Sequence, residues 1–195
     1  MARWFRRRAR DLPWRRTTDP YAIVVSEFML QQTTVQAVIP YYERWMAHFP
    51  SWGALAVAEE EAVLRMWEGL GYYRRARNLH RLAQQVQKEW EGQLPESVAE
   101  LRKLPGIGPY TAAAIMAFAH DRREPALDAN IARVVARLMN DTTPIDSKEG
   151  GRRLESHLKK LLEHGSAGVG GGGRVLLGGL MEVGAVICSP SKPSC

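Results

Sequence analysis

The stretch LRKLPGIGPYTAAAIMAFA, residues 101–119, contains the most informative turn of the chain. Its centre, from Pro105 to Tyr110, separates two helical patterns, and Gly106 and Gly108 allow positive φ angles and close backbone approach. Successive N–H groups of such a turn point outward at the start of the following helix, where an anion can bind. The pattern predicts a helix–hairpin–helix at about 101–119, although many glycine-rich turns between helices are only turns.

A second informative stretch, PALDAN at residues 125–130, leads into another helical pattern. The apolar face of this helix consists of Ile131, Val134, Val135, Leu138 and Met139. Asp128 stands where the N-cap of the helix would lie. An Asp before a helix is commonly only a cap, so the residue types alone leave open both a structural and a catalytic carboxylate.

Composition limits the classes of protein that the chain can belong to. Its 195 residues, 45% of them hydrophobic, can form one domain or two small lobes with a core. The net charge of +6 favours an acidic partner, and nucleic acid is favoured over a membrane because no apolar run approaches the about 20 residues of a spanning helix. The arginine-rich start lacks the apolar region of a signal peptide. The cytoplasm is therefore the expected location. No strand-like alternation occurs, which predicts an all-α class.

A lone carboxylate lies in the helical pattern that begins at Tyr21. The apolar face of this pattern is Val24, Val25, Phe28 and Met29. Glu27 falls on a different stripe, together with Gln31 and Thr34. Periodicity alone therefore favours a Glu27 side chain that points to water. The apolar neighbours in sequence would instead favour its protonated form.

The later part of the chain carries basic and glycine-rich segments. Tyr72 and Tyr73 precede a basic helix with Arg74, Arg75, Arg77 and Arg81. Arginines beside aromatic rings suit phosphate and base contacts, although a solvated basic face has the same pattern. We expect a helix at 147–164, a flexible linker at 165–173 and a weaker helical pattern at 174–187.

Five motifs share their order and spacing with one family. They are LPWRRTTDPYAIVVSEFMLQQTTVQAVIPYYERW, WEGLGYYRRARNLHRLA, LPGIGPYTAAAI, LDANIARV and GAVICSPSKPSC. Together they resemble the catalytic domain of the MutY-type adenine DNA glycosylases, closely over residues 10–164 and again over 180–195. The resemblance implies two helical lobes with the active cleft between them. One lobe would be a six-helix barrel at 19–133, and the other would combine 1–18 with 134–195.

The resemblance also implies a reaction and the roles of individual residues. Adenine mispaired with 8-oxoguanine or guanine would be flipped out of double-stranded DNA and its N-glycosidic bond hydrolysed. Such a reaction needs an acid for the leaving base and an anion for the sugar cation. Glu27 matches the family's catalytic acid and Asp128 its catalytic carboxylate. The other matches are Tyr110 and Asn130 in the pocket near the sugar, Gln32 and Tyr72 as residues inserted into the base stack, and Gln31, Arg74, Gly106 and Gly108 as DNA contacts.

The two cysteines depart from the family pattern. The family binds a [4Fe–4S] cluster with four cysteines, whereas this chain has two, Cys188 and Cys195. By resemblance they are two of the four cluster ligands, in an incomplete loop at 188–195. We therefore expect a C-terminally truncated sequence that does not assemble the cluster and lacks the family's domain for reading 8-oxoguanine.

Two alternative functions remain at this stage. A bifunctional glycosylase and lyase of the same superfamily would need a lysine nucleophile in the second helix of the hairpin, where Tyr110 stands. A non-catalytic helix–hairpin–helix module that only binds DNA would be favoured if Glu27 or Asp128 were missing. Both carboxylates are present.

Overall fold

The computed structural model of the chain describes residues 1–164 and 171–194. These residues are helical, with no β-strand among them, which confirms the all-α class. None of the described helices combines the length and the apolar composition that crossing a bilayer requires. In chain order the helices are α1 (Ala2–Arg8), α2 (Pro20–Leu30), α3 (Val35–His48), α4 (Trp52–Ala56), α5 (Glu60–Trp67), α6 (Arg74–Glu89), α7 (Val98–Leu101), α8 (Pro109–Phe118), α9 (Ala129–Leu138), α10 (Lys148–His164) and α11 (Gly173–Val186), with a 3-10 turn at Pro13–Arg15.

The chain divides into two compact units. One unit comprises residues 11–115, and the other combines residues 1–10 with the described residues from 116 onward. The division expected from the resemblance lay at 18/19 and 133/134. Helix α9 packs against α10 and α11, and α1 packs against α11. These contacts are the reason why α9 belongs to the unit that contains the N-terminus.

Helix α2 lies at the centre of the unit formed by residues 11–115. It packs against α3, α6 and the 3-10 turn, and every residue from Tyr21 to Met29 is buried. Beside it, the indole rings of Trp45 and Trp67 meet edge to face, with 5.5 Å between their centroids. Because neighbours cover α2 on more than one side, this helix has no water-facing stripe along that range.

Side-chain caps fix the connections around α2 and α3. The Asp19 Oδ1 atom accepts the Tyr21 N–H at 3.0 Å, and Thr34 Oγ1 accepts the Ala37 N–H at 3.4 Å. These caps satisfy N–H groups that have no partner within the helix. They leave residues 31–34 as the connection between α2 and α3. This short connection contains two of the predicted DNA contacts.

Glycines permit the close packing of α11 in the other unit. A Cβ atom on Gly178 would lie 2.7 Å from Phe5 Cζ, and one on Gly184 would lie 2.8 Å from the Asn130 carbonyl oxygen. The glycines that weaken the helical pattern therefore allow α11 to pack on α1 and α9. The predicted linker at 165–173 extended too far, because α11 already begins at Gly173. Residues 165–170 lie outside the described part of the chain.

Candidate catalytic and DNA-binding residues

Glu27 is buried in the C-terminal half of α2. Only 8% of the residue is exposed to solvent. The expectation from periodicity, that Glu27 points to water, is therefore wrong. The reason is that the pattern describes one helix, whereas α2 is covered by α3 and α6 as well as by the 3-10 turn. The structure thus places a carboxyl group inside a largely apolar helix environment.

The residues predicted to enter the base stack lie on two exposed turns. Gln32 is exposed in the connection after α2, and its φ angle is 57°. Tyr72 is 62% exposed just before α6, and its φ angle is 49°. Both residues occupy the left-handed region, which is unusual for residues other than Gly, Asn and Asp. Gln31 is half-buried, and Arg74 is exposed at the first position of α6.

The hairpin turn packs directly against α2 and α6. Gly106 has a φ angle of 76°, and a Cβ atom there would lie 2.8 Å from Phe28 Cε1 and 2.9 Å from Asn78 Cβ. No other residue type fits this position without displacing its neighbours. Gly108 is exposed, with nothing near its missing side chain. The turn therefore brings exposed backbone next to the residue that follows Glu27 in α2.

Tyr110 occupies the second position of α8 and is half-buried. Its place after the hairpin is the one where a lyase of this superfamily would need a lysine nucleophile. A phenol cannot form a Schiff base. The residue therefore carries no covalent chemistry of that kind.

Asp128 caps α9, as the sequence predicted. Its Oδ1 atom accepts the Ile131 N–H at 2.7 Å, and its Oδ2 atom accepts the Asn130 side-chain amide at 3.2 Å. Burial raises the pKa of Asp128 above its ordinary value, and the hydrogen bonds from Ile131 and Asn130 and the charge of Arg133 oppose that shift. The N–H donors at the start of α9 favour the ionised carboxylate, but burial outweighs them.

Arg133 connects Asn130 to the end of α11. Its Nη2 atom donates to Asn130 Oδ1 at 2.8 Å and to the Gly184 carbonyl at 2.7 Å, and its Nε donates to the Cys188 carbonyl at 2.6 Å. Because Asn130 in turn donates to Asp128, one hydrogen-bonded chain leads from α11 to this carboxylate. This chain of hydrogen bonds fixes the orientation of the Asn130 side chain. The Asn130 amide in turn holds the Oδ2 atom of Asp128 in place.

Of the two cysteines, the described part of the chain contains Cys188. Cys188 is buried, and its Sγ atom accepts a hydrogen bond from Arg137 Nη1 at 3.0 Å. Cys195 lies outside the described residues. Among residues 1–164 and 171–194, no group of three or more His, Cys, Asp or Glu side chains is arranged to hold a metal ion. An iron–sulfur cube needs four ligands, so the described residues do not fit one.

The predicted residues therefore fall into two sets. The unit of residues 11–115 contains Glu27, Gln31, Gln32, Tyr72, Arg74, Gly106, Gly108 and Tyr110. The other unit contains Asp128, Asn130 and Cys188. The residues of the first set lie in one unit because the helices that carry them follow one another along the chain.

Comparison with known proteins identifies the family. Residues 25–164 match the HhH-GPD superfamily base excision DNA repair proteins, a range that includes the hairpin, Glu27 and Asp128. The chain belongs to the HhH-GPD superfamily of base excision DNA repair proteins.

Curated adenine DNA glycosylases are similar to this chain along nearly its whole length. The adenine DNA glycosylase of Mycolicibacterium smegmatis is 38% identical over 193 residues, which cover 98% of this chain and 63% of that protein. The adenine DNA glycosylase of Buchnera aphidicola subsp. Acyrthosiphon pisum is 34% identical, with 98% and 53% covered, and the human one is 37% identical, with 98% and 36% covered. The resemblance is confirmed, and the chain spans about half the length of the bacterial relatives or somewhat more.

Solved structures confirm the HhH-GPD fold. A thermostable thymine-DNA glycosylase superposes with a TM-score of 0.82 at 28% identity, covering 100% of this chain and 87% of that one. A non-covalent complex of endonuclease III with DNA gives a TM-score of 0.74 at 21% identity, covering 90% and 78%. The second likeness concerns the fold alone. The predicted helix–hairpin–helix glycosylase fold is thereby confirmed.

One residue of the family motif WEGLGYYRRARNLHRLA behaves differently from the sequence expectation. The sequence places Arg75 on a basic helix with Arg74, Arg77 and Arg81, which predicts a phosphate contact or a solvated side chain, but Arg75 is only 6% exposed. A signal for this burial exists in the sequence, because Arg75 lies four and seven residues before Leu79 and Leu82 of the buried face of α6. An arginine in register with apolar residues indicates a guanidinium that is held inside the protein.

Proposed function

We propose that this chain hydrolyses the N-glycosidic bond of adenine mispaired with 8-oxoguanine or guanine in double-stranded DNA. The base is flipped out of the duplex before cleavage, since the bond is not accessible inside the base stack. The curated relatives, all named adenine DNA glycosylases, support adenine as the base. The observation that carries the catalytic part of the proposal is the burial of Glu27.

Glu27 acts as the general acid that protonates the leaving adenine. Burial disfavours the charged form of a carboxyl group, which is the property that a proton donor needs. A neutral acid beside the base lowers the barrier because adenine is a poor leaving group as an anion. An exposed glutamate would lack this advantage.

Asp128 acts as the carboxylate that stabilises the oxocarbenium-like sugar. Its hydrogen bonds from Ile131 and Asn130 hold both of its oxygens in place. A fixed anion stabilises the developing positive charge without reorganising during the reaction. Asn130, and Tyr110 at the start of α8, are the pocket residues near the sugar.

Exposed backbone and side chains of the unit of residues 11–115 bind the DNA. The amides of Gly106 and Gly108 take a phosphate, as N–H groups at a helix start do. Gln32 and Tyr72, both exposed, fill the gap that the flipped base leaves. Gln31 and Arg74 contact the duplex next to them. The protein acts as a monomer on DNA and is associated with the nucleoid.

Single-turnover excision of adenine opposite 8-oxoguanine tests this function. The Glu27→Gln variant keeps the shape of the side chain but loses the proton, and a general acid typically contributes about 10²–10⁴-fold to the rate. We expect a rate loss of that size with duplex binding retained. The matched control is Glu43→Gln, which changes an exposed glutamate of α3. A Glu27→Gln variant with the wild-type rate, or a wild-type chain that releases no adenine, contradicts the proposal.

The same experiment separates a monofunctional glycosylase from a lyase. Because Tyr110 stands where a lysine nucleophile would be needed, the abasic strand stays intact until alkali is added. Borohydride traps no covalent adduct for the same reason. Strand cleavage without alkali, or substantial trapping, identifies a bifunctional enzyme instead.

A further inference from the structure

Arg75 is a buried cation that joins two separate turns of the chain. It is the second residue of α6 and is 6% exposed. Burial lowers the pKa of its guanidinium from the ordinary value. A buried charge of this kind requires compensating partners. The partners of Arg75 are almost entirely backbone carbonyl oxygens.

The first group of partners lies at the end of α2 and just after it. The Nη1 atom of Arg75 donates to the carbonyl oxygens of Phe28 at 3.0 Å, Met29 at 2.7 Å and Gln31 at 2.5 Å. The Nη2 atom donates to Thr33 Oγ1 at 3.1 Å. Carbonyls at a helix C-terminus have no partner within the helix and carry partial negative charge. Arg75 therefore caps the C-terminus of α2. Its hydrogen bonds also hold the residues that follow the helix, as far as Thr33.

The second group of partners lies between α5 and α6. Nη2 of Arg75 also donates to the carbonyl oxygens of Leu70 at 3.0 Å and Gly71 at 3.1 Å. The guanidinium carbon lies 5.3 Å from the ring centroid of Trp67 and 5.5 Å from that of Tyr72. The Trp67 indole N–H donates to the same Gly71 carbonyl at 3.1 Å. Trp67 is fully buried, so this side of Arg75 is anchored to the core.

Each of the two turns contains one residue in a strained backbone conformation. Gln32 has a φ angle of 57° and Tyr72 one of 49°. Neither is a residue type that favours the left-handed region, so the surroundings must supply the free energy of holding it there. Arg75 bonds to the residue on each side of Gln32, and to the two residues before Tyr72 while stacking on its ring.

We propose that Arg75 is a positioning residue that holds Gln32 and Tyr72 together in their strained conformations, so that both side chains are presented to duplex DNA as one rigid wedge. The part of this inference that concerns DNA rests on the proposed function. Arginine is required because the Nη1 and Nη2 atoms of its planar fork carry four N–H donors in fixed directions, whereas its Nε is buried without a hydrogen-bond partner among the described residues. A lysine has three donors on one nitrogen and cannot reach both turns with this geometry.

Hydrogen exchange on the free protein tests the positioning without any DNA. In Arg75→Lys, amides of residues 29–34 and 70–73 exchange about tenfold faster than in the wild type, while the interior of α3 and α6 is unchanged. Arg77→Lys is the matched control, since Arg77 lies on the same helix and its guanidinium pairs with exposed Glu60 at 3.1 Å. Faster exchange in one turn alone, in neither, or equally throughout the unit overturns the proposal.

Base flipping provides the second readout. 2-Aminopurine replaces the target adenine opposite 8-oxoguanine, and its fluorescence rises when it leaves the base stack. At saturating protein we expect Arg75→Lys to reduce the flipped population about tenfold, with duplex affinity changed much less. A merely structural role would lower the amount of folded protein but not the fluorescence per folded molecule. If the two turns of the variant exchange faster but the flipped population is unchanged, the proposed wedge is wrong.

Thr33→Val gives an independent test if Arg75→Lys does not fold. It keeps the branched shape of the side chain and removes the acceptor of one Arg75 hydrogen bond, together with the weak hydroxyl donation to the Gln31 carbonyl oxygen at 3.4 Å. We expect faster exchange at residues 31–33, and flipping reduced by a factor of about three. Wild-type exchange at these residues overturns the positioning. If the wild-type chain neither flips nor releases adenine, the proposed function fails, and the exchange data still decide whether Arg75 holds the two turns.

Discussion

Asp128 shows how one residue can serve the fold and the proposed chemistry at once. It caps α9 through Ile131, and burial raises its pKa above the ordinary value. In the folded protein the proton is therefore held more tightly than in the unfolded chain. Ionisation of Asp128 costs stability, and this cost develops as the pH rises from the unfolded pKa through the folded one. In the proposed reaction, a fixed carboxylate stabilises the positive charge that develops on the sugar. This benefit explains why a residue that costs stability when ionised stands at this position.

Substitution of Asp128 separates these two roles. Asp128→Asn keeps a cap, since Asn caps nearly as well as Asp, whereas Asp128→Ala loses about 1 kcal/mol more. Both variants lose adenine excision because neither has a negative charge. Denaturant unfolding between pH 4 and pH 7 should show wild-type stability falling, relative to Asp128→Asn, as the pH rises. Exposed Asp146 provides the control Asp146→Asn. A difference that is constant with pH contradicts the raised pKa.

At the scale of an element, α11 depends on glycines that a helix normally disfavours. Gly in a helix interior costs up to about 1 kcal/mol relative to Ala. Gly184 nevertheless lies where a Cβ atom would contact the Asn130 carbonyl oxygen at 2.8 Å. Backbone at that distance cannot move aside as a flexible side chain can. The packing of α11 on α9 therefore outweighs the helix propensity at this position.

Alanine at two glycines of the same unit should have opposite effects on stability. Gly184→Ala forces α11 away from α9, and we expect about 1–3 kcal/mol of destabilisation from overpacking. Gly151→Ala in α10 meets nothing within 4 Å, so the gain in helix propensity of up to about 1 kcal/mol should appear. Thermal and urea unfolding measure both. A stabilising Gly184→Ala would show that α11 does not pack on α9 in this way.

At the scale of the whole molecule, the chain carries an excess of positive charge. The net charge is +6, and several arginines are exposed. In α1 these include Arg3, Arg7 and Arg8. No ion pair joins them to any other residue that the structure describes. Exposed cations of this kind bind phosphates and release the counterions of DNA.

Duplex binding should accordingly weaken steeply with salt. A protein that neutralises several phosphates loses affinity with a slope of about −0.9 per phosphate in a log–log plot. Fluorescence anisotropy between 50 and 200 mM salt measures this slope. The triple substitution Arg3, Arg7 and Arg8 to Gln should reduce it if α1 contacts DNA, whereas Arg75→Lys should not, because it keeps the positive charge at a position that is buried. A flat affinity over this range counts against DNA as the partner.

Features that depend on residues close together in the chain were predictable from the amino-acid sequence. The hairpin at Gly106, the cap at Asp128 and the all-α class follow from backbone chemistry within a few residues, and the structure confirms each of them. Caps and turns are local because their hydrogen bonds close over two to four residues. The same stretches carry the resemblance to the family, because their motifs have the same order and spacing as the motifs of the family.

Features that depend on several helices at once were not predictable from the sequence and required the three-dimensional structure. Periodicity placed Glu27 toward water, but α3 and α6 cover α2 on its other sides, so the carboxyl group is buried. The role of Arg75 was not visible because its acceptors lie up to 47 residues away in the chain. The glycines of α11 weaken its helical pattern in the sequence. Their packing role was not visible because the helices that contact them, α1 and α9, are distant in the chain. Burial and packing are sums over all neighbours in space, and a pattern within one helix reports only that helix.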